Sequence, residues 1–126
     1  MDFDTALEYC LEKSGAWQDE PWGDTVVAKV GPHIFAFLGD PRGNTVGVKC
    51  ARSRDEADEW LDRYPEDAHP MPYLARSGWN SLRLDGGIPD EEVFDAIDTS
   101  YALVLTKLPK RDRPAQPDSA VRPPIL

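Results

Sequence analysis

Apolar and polar residues change rhythm several times along this chain, and each change marks an element. Residues 25–30, 34–38 and 45–50 are short runs rich in β-branched and aromatic side chains, which read as strands. Gly31-Pro32-His33 separates the first two runs, and Gly39-Asp40-Pro41-Arg42-Gly43-Asn44 separates the second and third. These residue types accept turn geometry. Connections that short join antiparallel neighbours. The chain is therefore predicted to be organised around a three-stranded meander.

Upstream, Phe3, Ala6, Leu7, Cys10 and Leu11 recur at helical spacing, predicting an amphipathic helix over 3–13. Asp4, Glu8 and Glu12 lie off that stripe, and Gly15 is a natural stop. Residues 16–24 read as a loop whose Trp17 and Trp22 close one end of the core; contact with a ligand is the other use of such rings. Ser53 and Glu56 fit a capping box. Ala57, Trp60, Leu61 and Tyr64 then give a second helix its apolar stripe, and Pro65 stops it. The acids Asp55, Glu56, Asp58, Glu59 and Asp62 are the solvated face of that helix.

Pro70 and Pro72 suit an edge strand or irregular connector over 69–73. In 79–84, Asn80, Leu82 and Leu84 point one way, and Trp79, Ser81 and Arg83 the other. Pro89 suits the first position of a last helix, with Asp90, Glu91 and Glu92 where its dipole favours negative charge. Val93, Phe94, Ile97, Tyr101, Val104 and Leu105 supply its apolar face. The order α-β-β-β-α-β-β-α predicts an α+β fold of two layers, an antiparallel sheet of about five strands with helices packed on it. That domain spans 1–110. Residues 111–126, rich in Pro and charge and without periodicity, read as a disordered tail.

A chain of 126 residues makes one domain with its own core. No apolar run approaches the roughly 20 residues that span a bilayer. The acidic start Met1-Asp2-Phe3-Asp4 lacks the regions of a signal peptide, so a soluble cytoplasmic protein is expected. Cys10 and Cys50 fall on apolar faces and read as small buried residues, not a redox pair. His33 and His69 have no partner at metal-ligand spacing. The chain carries no GxSxG, HExxH, CxxC or phosphate loop. Gly86-Gly87 precedes a helix as an anion nest would, but the acids after it would repel phosphate. The expectation is a protein that is not an enzyme and uses no metal or cofactor.

The net charge of −9 and a pI near 4.6 oppose general attraction to a polyanion. The distribution of charge changes that picture. Acids concentrate on the helices, whereas Lys29, Lys49 and Arg83 lie on strands, Arg42 in a turn, and Arg52 and Arg76 just beyond strand ends. Helices gathered on one face would leave a mildly basic sheet face with Trp79 and Arg83 on the same side. Cations beside an aromatic are the composition of a platform for single-stranded nucleic acid. The candidate binding residues are Lys29, Lys49, Arg52, Arg76, Trp79 and Arg83. The plain alternative is that these are ordinary solvated residues. The open face, with Val27 and Trp79 beside cations, also suits a protein partner, since Trp and Arg are enriched at binding hot spots.

Tyr9-Cys10-Leu11, Pro21-Trp22-Gly23, Val30-Gly31 with Phe35-Ala36, Val48-Lys49, Trp79-Asn80, and Ser100-Tyr101 followed by Lys107-Leu108-Pro109-Lys110 occur in an order and spacing that resembles the MmcQ/YjbR family. The similarity runs over about residues 5–110. It implies the same order of elements, and it implies DNA binding. The chain departs from that pattern at Pro32-His33, where relatives often carry a basic residue after the glycine, and at Tyr73, where histidine is frequent. The partner expected is nucleic acid or another protein, with no membrane, and the chain is expected to be a monomer or weak dimer.

Overall fold

The computed structural model describes residues 1–39 and 44–115. The elements are α1 (Phe3–Leu11), β1 (Ala16–Asp19), β2 (Val26–Val30), β3 (His33–Gly39), β4 (Thr45–Lys49), α2 (Arg54–Arg63), β5 (Ala68–Pro70), β6 (Trp79–Arg83) and α3 (Asp90–Leu105). Short 3-10 turns cover Ala75–Ser77 and Lys110–Asp112. The strands form one sheet in the order β1-β2-β3-β4-β6-β5, with every neighbouring pair antiparallel. The fold is α+β, as the pattern predicted. The sixth strand is β1, where the sequence suggested a loop. Ala-Trp-Gln-Asp has no alternation to betray a strand, and its extended form comes from pairing with β2 through Ala16↔Val30 to Asp19↔Val27.

Caps set the helix starts. The Asp2 carboxylate accepts the Thr5 N–H at 2.8 Å, and the Ser53 hydroxyl accepts the Glu56 N–H. Helices α1 and α3 lie on the sheet face built from Val26, Ala28, Val30, Ala36, Leu38, Val46, Val48 and Leu82. From α3, Val93, Ile97, Tyr101 and Val104 are buried in this core. Each such aliphatic side chain contributes roughly 1.5–3 kcal/mol through burial.

Two buried polar side chains fix the layers to each other. The register of β2 against β3 shifts between Ala28 and Lys29, so Phe35 bulges and both Phe35 and Ala36 are buried. The β3–β4 ladder is short beyond the bulge, holding Ala36↔Val48 and Phe37↔Gly47. The Ser100 hydroxyl enters there from α3: it donates to the Phe35 carbonyl at 2.6 Å and accepts the Lys49 N–H at 2.9 Å. Under α2, Asn80 donates to the Ala57 carbonyl at 2.9 Å and accepts from Arg54 at 2.6 Å. Arg54 also donates to the Ala75 and Trp79 carbonyls and to Asp58.

Trp17 and Trp22 do not close the core; they are 43% and 62% exposed. Pairing of β1 places Trp17 beside Lys29 on the sheet face away from α1 and α3, and Trp22 stacks on Phe37 from outside. Trp60 packs against the core half-buried, with the Arg63 guanidinium 4.9 Å from its ring centroid. Full burial would make Trp60→Ala cost on the order of 3–5 kcal/mol; at half burial the expected loss in a denaturant melt is about 1–3 kcal/mol.

Residues 111–115, at the start of the stretch read as tail, stay close to the domain. Arg113 donates to the Leu108 and Thr106 carbonyls, and the Pro114 ring fills the space beside Gly15. The rest of that stretch, 116–126, and residues 40–43, with the Arg42 that the sequence suggested for a turn, lie outside the described residues. Among the described residues no helix is long and apolar enough to cross a membrane.

Candidate functional site

Register assigns the side chains of the helix-free face. Trp17 and Asp19 of β1, Val27 and Lys29 of β2, Phe37 of β3, Gly47 and Lys49 of β4, and Trp79, Ser81 and Arg83 of β6 share it. Trp79 and Arg83 share a side as their parity predicted, and the register brings Lys29 and Lys49 to the same face. Their surroundings differ from the expected platform. Lys29 is paired with Asp19 at 3.0 Å and lies 4.8 Å from the Trp17 ring centroid. Arg83 is paired with Asp85 at 2.8 Å. The hydrogen bonds from Lys29 and Arg83 hold Asp19 and Asp85 below the usual carboxylate range. Both pairs are therefore intact at neutral pH and lost only as pH falls through those lowered values.

Trp79 is 5% exposed, its ring edge-to-face with Phe37 at 5.6 Å, so it offers no surface to a ligand. Met71 lies over Gly47 so closely that a Cβ there would sit 2.7 Å from its sulfur. With Met71 on Gly47 and Trp22 on Phe37, the centre of this face is capped. A uniformly basic, open sheet face is not what the chain builds.

Charge separates instead along the strands, from one end of the sheet to the other. One end gathers the segments 49–54, 74–78 and 106–115. Hydrogen bonds hold the first two together: Cys50 N–H to the Gly78 carbonyl, Arg54 to the Ala75 carbonyl, and Lys49 Nζ to the Ser77 carbonyl. Gly78, at φ +86°, leaves no room for a Cβ against the Ala51 and Ser53 carbonyls. The Ser100 bond to Lys49 brings the last turns of α3 alongside, and Lys107 follows two residues after the helix ends. More than half of the 14 Lys and Arg fall in these three segments, against Asp112 alone of the 23 Asp and Glu. Arg54 and Arg113 are spent on backbone carbonyls. Lys49, Arg52, Arg76, Lys107 and Lys110 have no carboxylate partner among the described residues. Arg52, Arg76, Lys107 and Lys110 are exposed. Partial burial, and next the nearby Lys107 charge, hold Lys49 below the ordinary lysine value.

The opposite end is acidic. A cleft of about 340 Å³ lies there between Asn44, Thr45, Glu66, Asp67, His69, Ser81, Arg83 and Asp85. Two of its three carboxylates already have work: Asp67 accepts the Gly87 N–H at 2.8 Å, and Asp85 accepts from Arg83 and Asn44. Of the six residues singled out from sequence, Lys49, Arg52 and Arg76 come together at the basic end; Trp79 pairs with Lys49 there but is buried, Lys29 is bound to Asp19, and Arg83 lies at the opposite end. Lys107 and Lys110 were missed; the signal was the density of cations directly after the last helix.

Burial pushes the Cys10 thiol up to about 12 and the Cys50 thiol up to about 11, so neither is a nucleophile near neutral pH. Among the described residues no group of three or more His, Cys, Asp or Glu could hold a metal ion.

The family model described as YjbR matches residues 11–103. The uncharacterized protein YjbR of Escherichia coli strain K12 is 30% identical over 115 residues, covering 90% of this chain and 95% of that protein. The protein of the same name from Escherichia coli O157:H7 gives the same figures. The crystal structure of Deinococcus radiodurans protein DR2400, a DUF419 domain, superposes with a TM-score of 0.78 at 25% identity, over 89% of this chain and 85% of that one. The match begins at the end of α1, runs through the sheet into α3 and takes in nearly the whole of two relatives, and the chain accordingly belongs to the YjbR family.

Proposed function

We propose that the chain is a non-enzymatic binding domain whose basic end takes the phosphate backbone of a nucleic acid. The observation that supports it is the cluster of Lys49, Arg52, Arg76 and Lys107 without carboxylate partners among the described residues. Paired cations such as Lys29 and Arg83 have their charge already answered. Unpaired ones must find it in solution or in a ligand. A polyanion approaching end-on meets these residues first and stays clear of the acidic end. The net charge of −9 opposes it at long range, so binding is weak at physiological salt and strengthens as salt falls.

The test compares two sets of charges by fluorescence anisotropy with a labelled oligonucleotide at low salt. The double variant Arg52→Glu, Arg76→Glu is expected to weaken binding at least tenfold. Arg83→Gln, at the acidic end, is expected to leave it unchanged. Equal loss from both would remove the basic end as the site. The second reading, a protein-interaction module, draws support from Trp17 and Trp22, exposed on the outer side of edge strand β1 and the connection after it. Its occupant would meet the sheet edge, and Trp22→Ser would weaken it while sparing the oligonucleotide.

A further inference from the structure

Tyr73 is the most exposed large hydrophobic residue among the described residues, its ring wholly in solvent. Its backbone is also unusual. Tyr73 holds φ at +69°, in the left-handed region where a residue with a Cβ is disfavoured. Such conformations persist only where the flanking structure holds them, and they concentrate at binding sites. Here the flanks are firmly held. On one side Met71 packs over Gly47, and its N–H donates to the Trp79 carbonyl at 3.0 Å. On the other side Leu74 packs against the core. The turn that follows is bonded to Arg54 and Lys49. The chain thus holds an aromatic residue out in water at a cost in backbone energy, with no hydrogen bond or ring contact among the described residues to account for it.

Three residues along the same connector, Arg76 stands exposed in the 3-10 turn, and Lys49 is bonded to that turn. An exposed aromatic ring on the connector that also carries Arg76, with no carboxylate partner for that cation among the described residues, matches a nucleotide: the ring takes the face of a base, and the cations take phosphates along the strand. Only an unpaired base offers that face. In a duplex both faces are covered by its neighbours.

We infer that Tyr73 is a base-stacking residue, so that the partner of the basic end is single-stranded nucleic acid in preference to duplex; this rests on the nucleic-acid reading above. Charge complementarity selects the polymer, and the exposed ring selects its single-stranded form.

Tyr73→Gly separates this role from a structural one. Glycine suits φ +69° better than tyrosine does, so the variant is expected to keep the melting temperature of the parent or exceed it. Its affinity for a labelled single-stranded oligonucleotide should fall roughly fivefold to a hundredfold, the range for losing one stacked base. Tyr73→Phe keeps the ring and should bind as the parent does. The parent should bind single strand more tightly than a duplex of the same length. Unchanged single-strand affinity in Tyr73→Gly, or equal affinity for duplex, would overturn the stacking role. The loss in Arg52→Glu, Arg76→Glu would in that case still uphold the basic end. No binding by the parent at low salt, with the fold intact, would overturn both.

Discussion

Asn80→Ala is expected to destabilise the domain by about 3–5 kcal/mol, because two strong groups lose their partner in a dry site. Asn80 is 0% exposed. Its amide N–H answers the Ala57 carbonyl of α2, and its oxygen answers one edge of the Arg54 guanidinium. Alanine leaves a carbonyl and part of a cation unsatisfied and opens a cavity besides. For a chain of this size the loss corresponds to a fall in melting temperature of roughly 10–20 °C. Asn80→Leu, which restores the volume but not the hydrogen bonds, should recover little. Arg54→Ala and Asn80→Ala share one interaction, so the double variant should lose less than the sum. Strict additivity, or a loss below about 1 kcal/mol for Asn80→Ala, would show that the network does not tie α2 to the sheet.

Ser100→Ala is the second large effect. One hydroxyl stands between β3 and β4, at the place where the bulge at Phe35 parts them. Removing it orphans the Phe35 carbonyl and the Lys49 N–H together, at an expected cost of about 2–4 kcal/mol. Thr99, the preceding residue on the exposed side of α3, is the control, and Thr99→Ala should change stability by less than about 0.5 kcal/mol. Amide exchange at Lys49 should accelerate in Ser100→Ala well beyond the change in global stability. Protection at Lys49 equal to that of its neighbours would show that the strands close on each other without the hydroxyl.

Much of this was legible in the residues. The stripes of Phe3, Ala6 and Cys10 and of Val93, Ile97, Tyr101 and Val104 are the faces that α1 and α3 bury. Ser53 caps α2 as the Ser-Arg-Asp-Glu spacing required. Strand parity put Trp79 and Arg83 on one side. What parity could not give was each side chain's neighbours. Asp85 lies two residues from Arg83 and could have been suspected as its partner. Asp19 meets Lys29 only because β1 pairs with β2, and β1 has no pattern of its own. Met71 covers Gly47 through a connector whose path no periodicity describes. The basic end was hidden for the same reason. Lys49, Arg76 and Lys107 are far apart in sequence and meet through hydrogen bonds to Ser77 and Ser100. Alternation along one strand shows which face a residue takes; it does not show which strand ends converge.

The dependence of binding on salt tests the nucleic-acid reading most directly. With Lys49, Arg52, Arg76 and Lys107 each meeting a phosphate of a single strand, the logarithm of affinity should fall with the logarithm of salt at a slope near −3, from roughly 0.7 per contact. Arg52→Glu, Arg76→Glu should reduce that slope by about half, while Arg83→Gln preserves it. A parent protein that binds with a slope near zero, or a slope that Arg52→Glu, Arg76→Glu leaves untouched, would contradict the assignment of the basic end to nucleic acid.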